Sequence, residues 1–270
     1  MGAYGIKVTS FDAFAAKFED VCETLEKARP TAVNLGWAVR RMRQAAVRLR
    51  GAPLPEIQKR LEAEALAIAG EDAAMCRSIG RHGSELIRSG CKMMTHCNAG
   101  ALATAGIGTA LAPVYTAKEQ GKKISVFCTE TRPWLQGARL TTWELLKNDV
   151  SATLIADGGA AGLLASNEID LVIVGADRIA ANGDVANKIG TLSHALAAHH
   201  YRIPFYVAAP STTIDHACLS GSTIPIEERR REEITHFGRT RIAPDEVRVL
   251  NPVFDVTPHD LITGIITEKG

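Results

Sequence analysis

Leu171-Val172-Ile173-Val174-Gly175-Ala176-Asp177-Arg178 is the stretch on which the fold turns. Four consecutive apolar residues stop abruptly at two small residues, a carboxylate and a guanidinium. A run this short reads as a strand buried on both faces. Its pattern recurs at Lys92 to Thr95, Lys123 to Cys128, Ala152 to Ile155 and Pro204 to Ala208. Helical patterns separate these runs, over Ala101 to Gln120, Trp134 to Asn148, Gly159 to Ala165 and Ala186 to Ala198. Strand and helix in alternation predict βαβ units and a parallel, doubly wound sheet.

Upstream of residue 90 the periodicity is helical throughout. Phe11, Phe14, Ala15, Phe18, Val21, Cys22 and Leu25 fall at helical spacing, with Ser10 placed as an N-cap. Arg29-Pro30-Thr31 interrupts the pattern, because proline disfavours helix in the residue before it. A second helix is predicted from Val33 to Arg50, and Gly51-Ala52-Pro53-Leu54-Pro55 breaks it. A third is predicted from Glu56 to about Ser89, kinked near Ile79-Gly80. The expected organisation is α/β: a helical N-terminal domain over residues 1–89 and a Rossmann-like domain over residues 90–270.

Composition sets the outer bounds. The 270 residues are 46% hydrophobic and 23% charged, ordinary for a globular chain. Lys and Arg number 31 against 30 Asp and Glu, a balance that argues against a broad nucleic-acid surface or a polybasic membrane anchor. No apolar stretch approaches the roughly 18 residues of a membrane span. Met1 to Asp20 has no basic segment followed by an apolar run, so a cytoplasmic protein is expected. The six cysteines are scattered without a CxxC pair, which favours reduced thiols and no metal site.

Ligands of a doubly wound sheet gather beyond the carboxyl ends of its strands. There the sequence places Thr95-His96-Cys97-Asn98-Ala99-Gly100, Thr129-Glu130-Thr131-Arg132-Pro133 with Gln136, Asp157-Gly158-Gly159, and Asp177-Arg178 followed by Asn187-Lys188. Cys97 sits in a small-residue turn ahead of a predicted helix, where backbone N–H groups lower a thiol pKa or hold an anion, or it is a packed thiol. Asp177 reads as a general acid whose pKa a low-dielectric strand end raises, or as the partner of Arg178. His96 shuttles protons or is a hydrogen-bonded structural histidine. Asp184 in Asn182-Gly183-Asp184 reads as turn chemistry. Gly100, Gly106 and Gly108 match no dinucleotide or Walker pattern, and Ser211 lacks a nucleophile elbow. The basic run Arg40-Arg41-Arg43-Arg48-Arg50 reads as a solvated helix face, and Arg229-Arg230-Arg231 as a surface turn.

At these residues the sequence resembles the methylthioribose-1-phosphate isomerases, in a superfamily that also holds ribose-1,5-bisphosphate isomerase and the regulatory subunits of eukaryotic initiation factor 2B. The resemblance rests on Arg29-Pro30-Thr31-Ala32-Val33-Asn34-Leu35, Thr95 to Gly100, Glu130 to Pro133 with Leu135 to Arg139, Val174 to Asp184 with Asn187 to Thr191, Ile224 to Arg229, and Asn251-Pro252 with Phe254 to Pro258. By position it implies that Cys97 and Asp177 are catalytic, Asp177 as the proton donor. It implies that Arg29, Gln136, Asn187 and Lys188 bind substrate. The implied reaction converts 5-methylthioribose 1-phosphate to 5-methylthioribulose 1-phosphate in methionine salvage, with no metal or organic cofactor, in a homodimer.

Two alternatives accompany that implication: a ribose-1,5-bisphosphate isomerase, and a noncatalytic binding subunit or inactive truncated isomerase. The family carries a further N-terminal segment with an Arg-Gly-Ala-Pro phosphate-binding turn. Met1-Gly2-Ala3-Tyr4-Gly5 corresponds to the helix after that turn, so a truncated N-terminal domain is expected. Arg50-Gly51-Ala52-Pro53 repeats the letters in the wrong order along the chain. Gly36 stands where the family has an aromatic residue, and Asp157-Gly158-Gly159 where it has bulkier ones, which predicts a looser loop.

Overall fold

The computed structural model describes residues 10–270, so the expectation for Met1 to Gly5 lies outside the described residues. The Ser10 hydroxyl accepts a hydrogen bond from Ala13 N at 3.3 Å and starts α1 (Phe11–Ala28). Phe14, Phe18 and Cys22 share one face of that helix. They pack against Val39 of α2 (Val33–Arg48) and Ile57 and Leu61 of α3 (Leu54–Ser84) in a core of their own. The predicted solvated basic face is instead partly a fastening. Arg41 pairs with Glu64 and Glu71 of α3, and Arg43 pairs with Glu19 and Glu26 of α1 at 2.6 and 2.7 Å. Helix α3 runs unbroken through Ile79-Gly80, and Ile79 reaches the core beneath the sheet.

The remaining elements, in order, are β1 (Cys91–Thr95), α4 (Ala112–Glu119), β2 (Ile124–Thr129), α5 (Thr142–Lys147), β3 (Ser151–Ile155), α6 (Ala160–Ala165), β4 (Leu171–Val174), β5 (Arg178–Ala180), β6 (Val185–Lys188), α7 (Thr191–His200), β7 (Phe205–Ala208), β8 (Ile214–Asp215), α8 (Glu232–Thr235), β9 (His236–Phe237), β10 (Thr240–Arg241), β11 (Phe254–Thr257) and β12 (Gly264–Ile266). The main sheet has the order β12-β7-β4-β1-β2-β3, all parallel. This is a doubly wound arrangement, and the strand order reverses between β1 and β4. Their register pairs Met93 with Leu171 and Met94 with Val172. Met93 and Ile173 enter the core on one face of the sheet, and Met94, Val172 and Val174 the core on the other. Each such side chain contributes roughly 1.5–3 kcal/mol through its burial.

Two further expectations are corrected. Ala101 to Gln120 is not one helix: a short 3-10 turn at Ala101–Ala103 leads into a loop, and only Ala112–Glu119 is α-helical. The loop is folded back on itself. Gly108 has φ +96°, and a Cβ there would lie 2.5 Å from Gly100 Cα and 2.7 Å from Ala99 O. The helix predicted from Ala186 to Ala198 begins only at Thr191, because Val185 to Lys188 is a strand. That strand belongs to a second sheet, β11-β6-β5-β8, which the sequence reading lacked. The turn between β5 and β6 is the Asn182-Gly183-Asp184 turn, with Asp184 N bonded to Asn182 Oδ1 at 3.2 Å.

Gly108 and Gly121 test the folded-back loop. Both have positive φ, but nothing lies within 4 Å of a Cβ at Gly121. We expect Gly121→Ala to cost about 1 kcal/mol and Gly108→Ala more than about 2 kcal/mol in urea unfolding. Equal losses at both positions would contradict the close approach of Gly108 to Gly100.

Candidate active site

The reversal of strand order opens a crevice at the carboxyl ends of β1 and β4, and Cys97 and Asp177 follow those two strands. Both line one cavity of about 750 Å³, together with Arg29, Gln136, Asn187 and Lys188. All six residues singled out from the sequence therefore converge. Arg29 comes from the end of α1, Asn187 and Lys188 from β6 of the second sheet, and Gln136 from the loop between β2 and α5.

Cys97 has φ +62°, an unfavourable conformation for a residue with a Cβ. Thr131 Oγ1 accepts its N–H at 2.9 Å, and Thr141 Oγ1 donates to its carbonyl at 2.6 Å. Thr131 and Leu135 also have positive φ, at +65° and +56°. Strain of this kind costs of order 1–3 kcal/mol per residue and persists where the surroundings impose it. Here the surroundings are identifiable. Asp157 accepts the N–H groups of Thr131 and Arg132, each at 2.7 Å. Glu144, buried on α5, accepts Ala101 N at 2.7 Å and the Asn98 amide at 2.9 Å. A Cβ on Gly137 would lie 1.8 Å from Thr129 O, so glycine alone fits beneath Gln136.

No α-helix starts at Cys97, which corrects the expectation of a lowered thiol pKa. Burial pushes the thiol up to about 11, while Lys188, the Asn98 N–H and Arg29 pull it down less strongly. Desolvation also raises the Asp177 carboxyl, opposed by Arg29 and Lys188 and reinforced by Glu227. This agrees with the reading of a carboxyl adapted to hold a proton. Desolvation lowers Lys188 as well. Lys188 Nζ donates to Val253 O at 3.0 Å and stands 4.5 Å above the Phe254 ring. Asp177 accepts from Arg29 Nη2 at 2.8 Å, not from Arg178. Arg178 instead donates to the carbonyls of Pro30 and Thr31 at 2.9 and 3.0 Å and tethers that turn to the sheet.

His96 resolves as structural. Its Nε2 lies 2.8 Å from Ile189 O and therefore donates, which leaves Nδ1 to accept from Thr129 Oγ1 at 2.6 Å. Desolvation holds its pKa down near 4. The sequence reading missed Arg229, assigned to a surface turn, and the aromatic walls Trp134 and Phe254, all of which line the cavity. Arg229 is loosely held, 3.6 Å from Glu227 and 3.9 Å from Glu233. The Gln136 Oε1 atom is buried without a hydrogen-bond partner.

Comparison with known proteins places this cleft in a family. Residues 3–270 match the model of the initiation factor 2 subunit family. The chain belongs to that family. Within the initiation factor 2 subunit family it is 57% identical over 270 residues to a methylthioribose-1-phosphate isomerase from Syntrophotalea carbinolica, covering all of this chain and 78% of the relative. The structure of a 5-methylthioribose 1-phosphate isomerase from Pyrococcus horikoshii superposes with a TM-score of 0.88 at 45% identity, over 99% of this chain and 75% of the other. The translation initiation factor eIF-2B, subunit delta, from A. fulgidus superposes with a TM-score of 0.85 at 42% identity, over 100% and 78%.

The elevated thiol gives a direct measurement. With its pKa raised by burial, Cys97 is overwhelmingly thiol at pH 7, and the scarce thiolate is the form that iodoacetamide attacks. We expect the alkylation rate of Cys97, followed by mass spectrometry, to rise about tenfold per pH unit from 7 to 9.5 without a plateau. A plateau below pH 8.5 would contradict the assignment.

Proposed function

We propose that this protein isomerises 5-methylthioribose 1-phosphate to 5-methylthioribulose 1-phosphate, the aldose–ketose step of methionine salvage. One observation carries the reading: a thiol and a carboxyl whose pKa values burial raises share one cleft with three cations, Arg29, Lys188 and Arg229. We read residues 1–89 as a helical domain that supplies Arg29, with Ala32, Asn34, Leu35 and Asp72, to a site whose other walls come from a Rossmann-like domain, residues 90–270.

The chemistry follows from the substrate. Phosphate on the anomeric carbon prevents free opening to an aldehyde. Asp177 donates a proton to the ring oxygen as the C1–O bond breaks and its electron pair stays on that oxygen. Hydrogen then passes from C2 to C1, and the O2 hydroxyl returns a proton to the Asp177 carboxylate as C2 becomes the ketone carbonyl. Cys97 is the group we assign to that transfer. Arg29 and Lys188 neutralise the phosphate, and Arg229 joins them from the facing loop. Gln136 and Asn187, which line the cavity, bond sugar hydroxyls. We read the enzyme as a cytoplasmic homodimer that takes a small sugar phosphate and neither nucleic acid nor membrane. Among the described residues no helix is long and apolar enough to cross a bilayer.

A noncatalytic subunit is the second reading, favoured by the likeness to the A. fulgidus subunit. Turnover separates the two. We expect the purified chain to isomerise 5-methylthioribose 1-phosphate. Cys97→Ser and Asp177→Asn should each lose at least about a thousandfold in kcat, a loss in the range for removing a general acid. A wild-type chain with no turnover would remove the isomerase reading, and variants within tenfold of an active wild type would remove the roles assigned to Cys97 and Asp177. In sedimentation velocity we expect twice the 28.9 kDa chain mass; a monomer would contradict the dimer.

A further inference from the structure

The acid of the site is held by a cation that the substrate itself should attract. Arg29 Nη2 donates to Asp177 Oδ1 at 2.8 Å, the side chain of Arg29 being 46% exposed and that of Asp177 18%. Among the described residues the Arg29 guanidinium makes this one hydrogen bond, and the rest of its five-donor fork is open to the cavity. An ion pair of this kind favours the ionised carboxyl, whereas donation to a ring oxygen requires the protonated one.

The backbones on both sides are fixed. Asp177 N donates to Ala186 O at 2.9 Å, and Asp177 O accepts from Val33 N at 3.2 Å. The Arg29-Pro30-Thr31 turn is tied down by Arg178 and by Thr31 N, which donates to Glu227 at 3.2 Å. What can move is the exposed Arg29 side chain. The substrate's stereochemistry gives it a destination. Ring oxygen and phosphate ester oxygen are both bonded to C1, so an acid placed at the first stands beside the second. A phosphate dianion offers a guanidinium a bidentate, charge-assisted contact, where Asp177 accepts through one oxygen.

We propose that Arg29 exchanges partners when substrate binds, leaving Asp177 for the phosphate, and that its departure lets Asp177 take up the proton it then delivers to the ring oxygen. The inference rests on the isomerase reading and deepens it: the phosphate is not only an anchor but the signal that arms the acid. The charges facing Asp177 are Arg29 and Lys188, which favour the ionised form, and Glu227, which opposes it. Cys97 beside it is a neutral thiol at pH 7. Lys188 is held by the Val253 carbonyl at 3.0 Å, so Arg29 is the cation free to leave.

The pH profiles test it. The profile of kcat/KM reports the free enzyme and that of kcat the substrate complex. We expect the basic limb of kcat to lie about one pH unit or more above that of kcat/KM in the wild type. Arg29→Gln should move the kcat/KM limb up toward the kcat limb, while Arg29→Lys, which keeps the charge, should leave it near the wild-type position. Coincident limbs in the wild type, or an unmoved limb in Arg29→Gln, would overturn the exchange. A titration of the Asp177 carboxyl by 13C NMR, with and without sulfate as a nontitrating phosphate mimic, needs no turnover. We expect its midpoint to rise with sulfate and in Arg29→Gln; a midpoint indifferent to both would refute the proposal. A wild type without turnover would defeat the isomerase reading alone, leaving the carboxyl titration to decide the exchange.

Discussion

The pairing of β1 with β4 is the constraint on which the rest of the site depends. Where the order of a parallel sheet reverses, the connections after the two central strands run to opposite faces and cannot fill the space between them. Cys97 follows one of these strands and Asp177 the other, so the sheet topology itself puts thiol and carboxyl at one opening. Everything around them holds that opening in shape. Asp157 and Glu144 satisfy backbone N–H groups of loops that no regular structure pairs. The threonines at 131 and 141 fix Cys97 from both of its peptide bonds. The second sheet forms the opposite wall, and Phe254 on it is flanked by Lys188 and Arg29.

Five of the six parallel strands were legible because they obey a local rule, whereas the three-residue edge strand β12 (Gly264–Ile266) was not foreseen. Leu171 to Val174 is apolar at every position, and all four residues are buried. The second sheet follows no such rule. Its strands are two to four residues long, and Val185-Ala186-Asn187-Lys188 has the composition of a helix start. Its register is set by pairing with Phe254 to Thr257, nearly seventy residues away, which no local period reports. The stretch after Cys97 misled for a related reason. Alanine-rich and glycine-containing, it suits a helix, yet the buried Glu144 takes up its N–H groups from a helix forty residues downstream.

The candidate residues divide along the same line. Cys97 and Asp177 could be found because strand ends are predictable, and Asn187, Lys188, Arg29 and Gln136 through resemblance. Arg229 could not, because three arginines before two glutamates look like any exposed turn. Its direction comes from the bridge between Glu228 and Pro252, which brings its loop against the strand carrying Phe254. A cation that faces a cleft differs from one that faces water only through such distant pairings.

The titration shifts in the cleft share one cause, and it bears on what the cleft is for. Desolvation raises Cys97, raises Asp177 and lowers Lys188, so every group is pushed toward its neutral form. Such a site is short of counter-charge. A phosphate dianion placed among Arg29, Lys188 and Arg229 would favour the charged form of the lysine. The same dianion would disfavour a carboxylate beside it, strengthening the hold of Asp177 on a proton. One ligand therefore pushes the two groups in opposite senses, ammonium charged and carboxyl neutral, which is the combination that anchoring a phosphate and protonating the neighbouring ring oxygen require. A cleft meant only to bind an anion would gain nothing from a buried carboxyl at its centre. Its presence beside the cations is explained when the anion's neighbour on the ligand is the atom to be protonated.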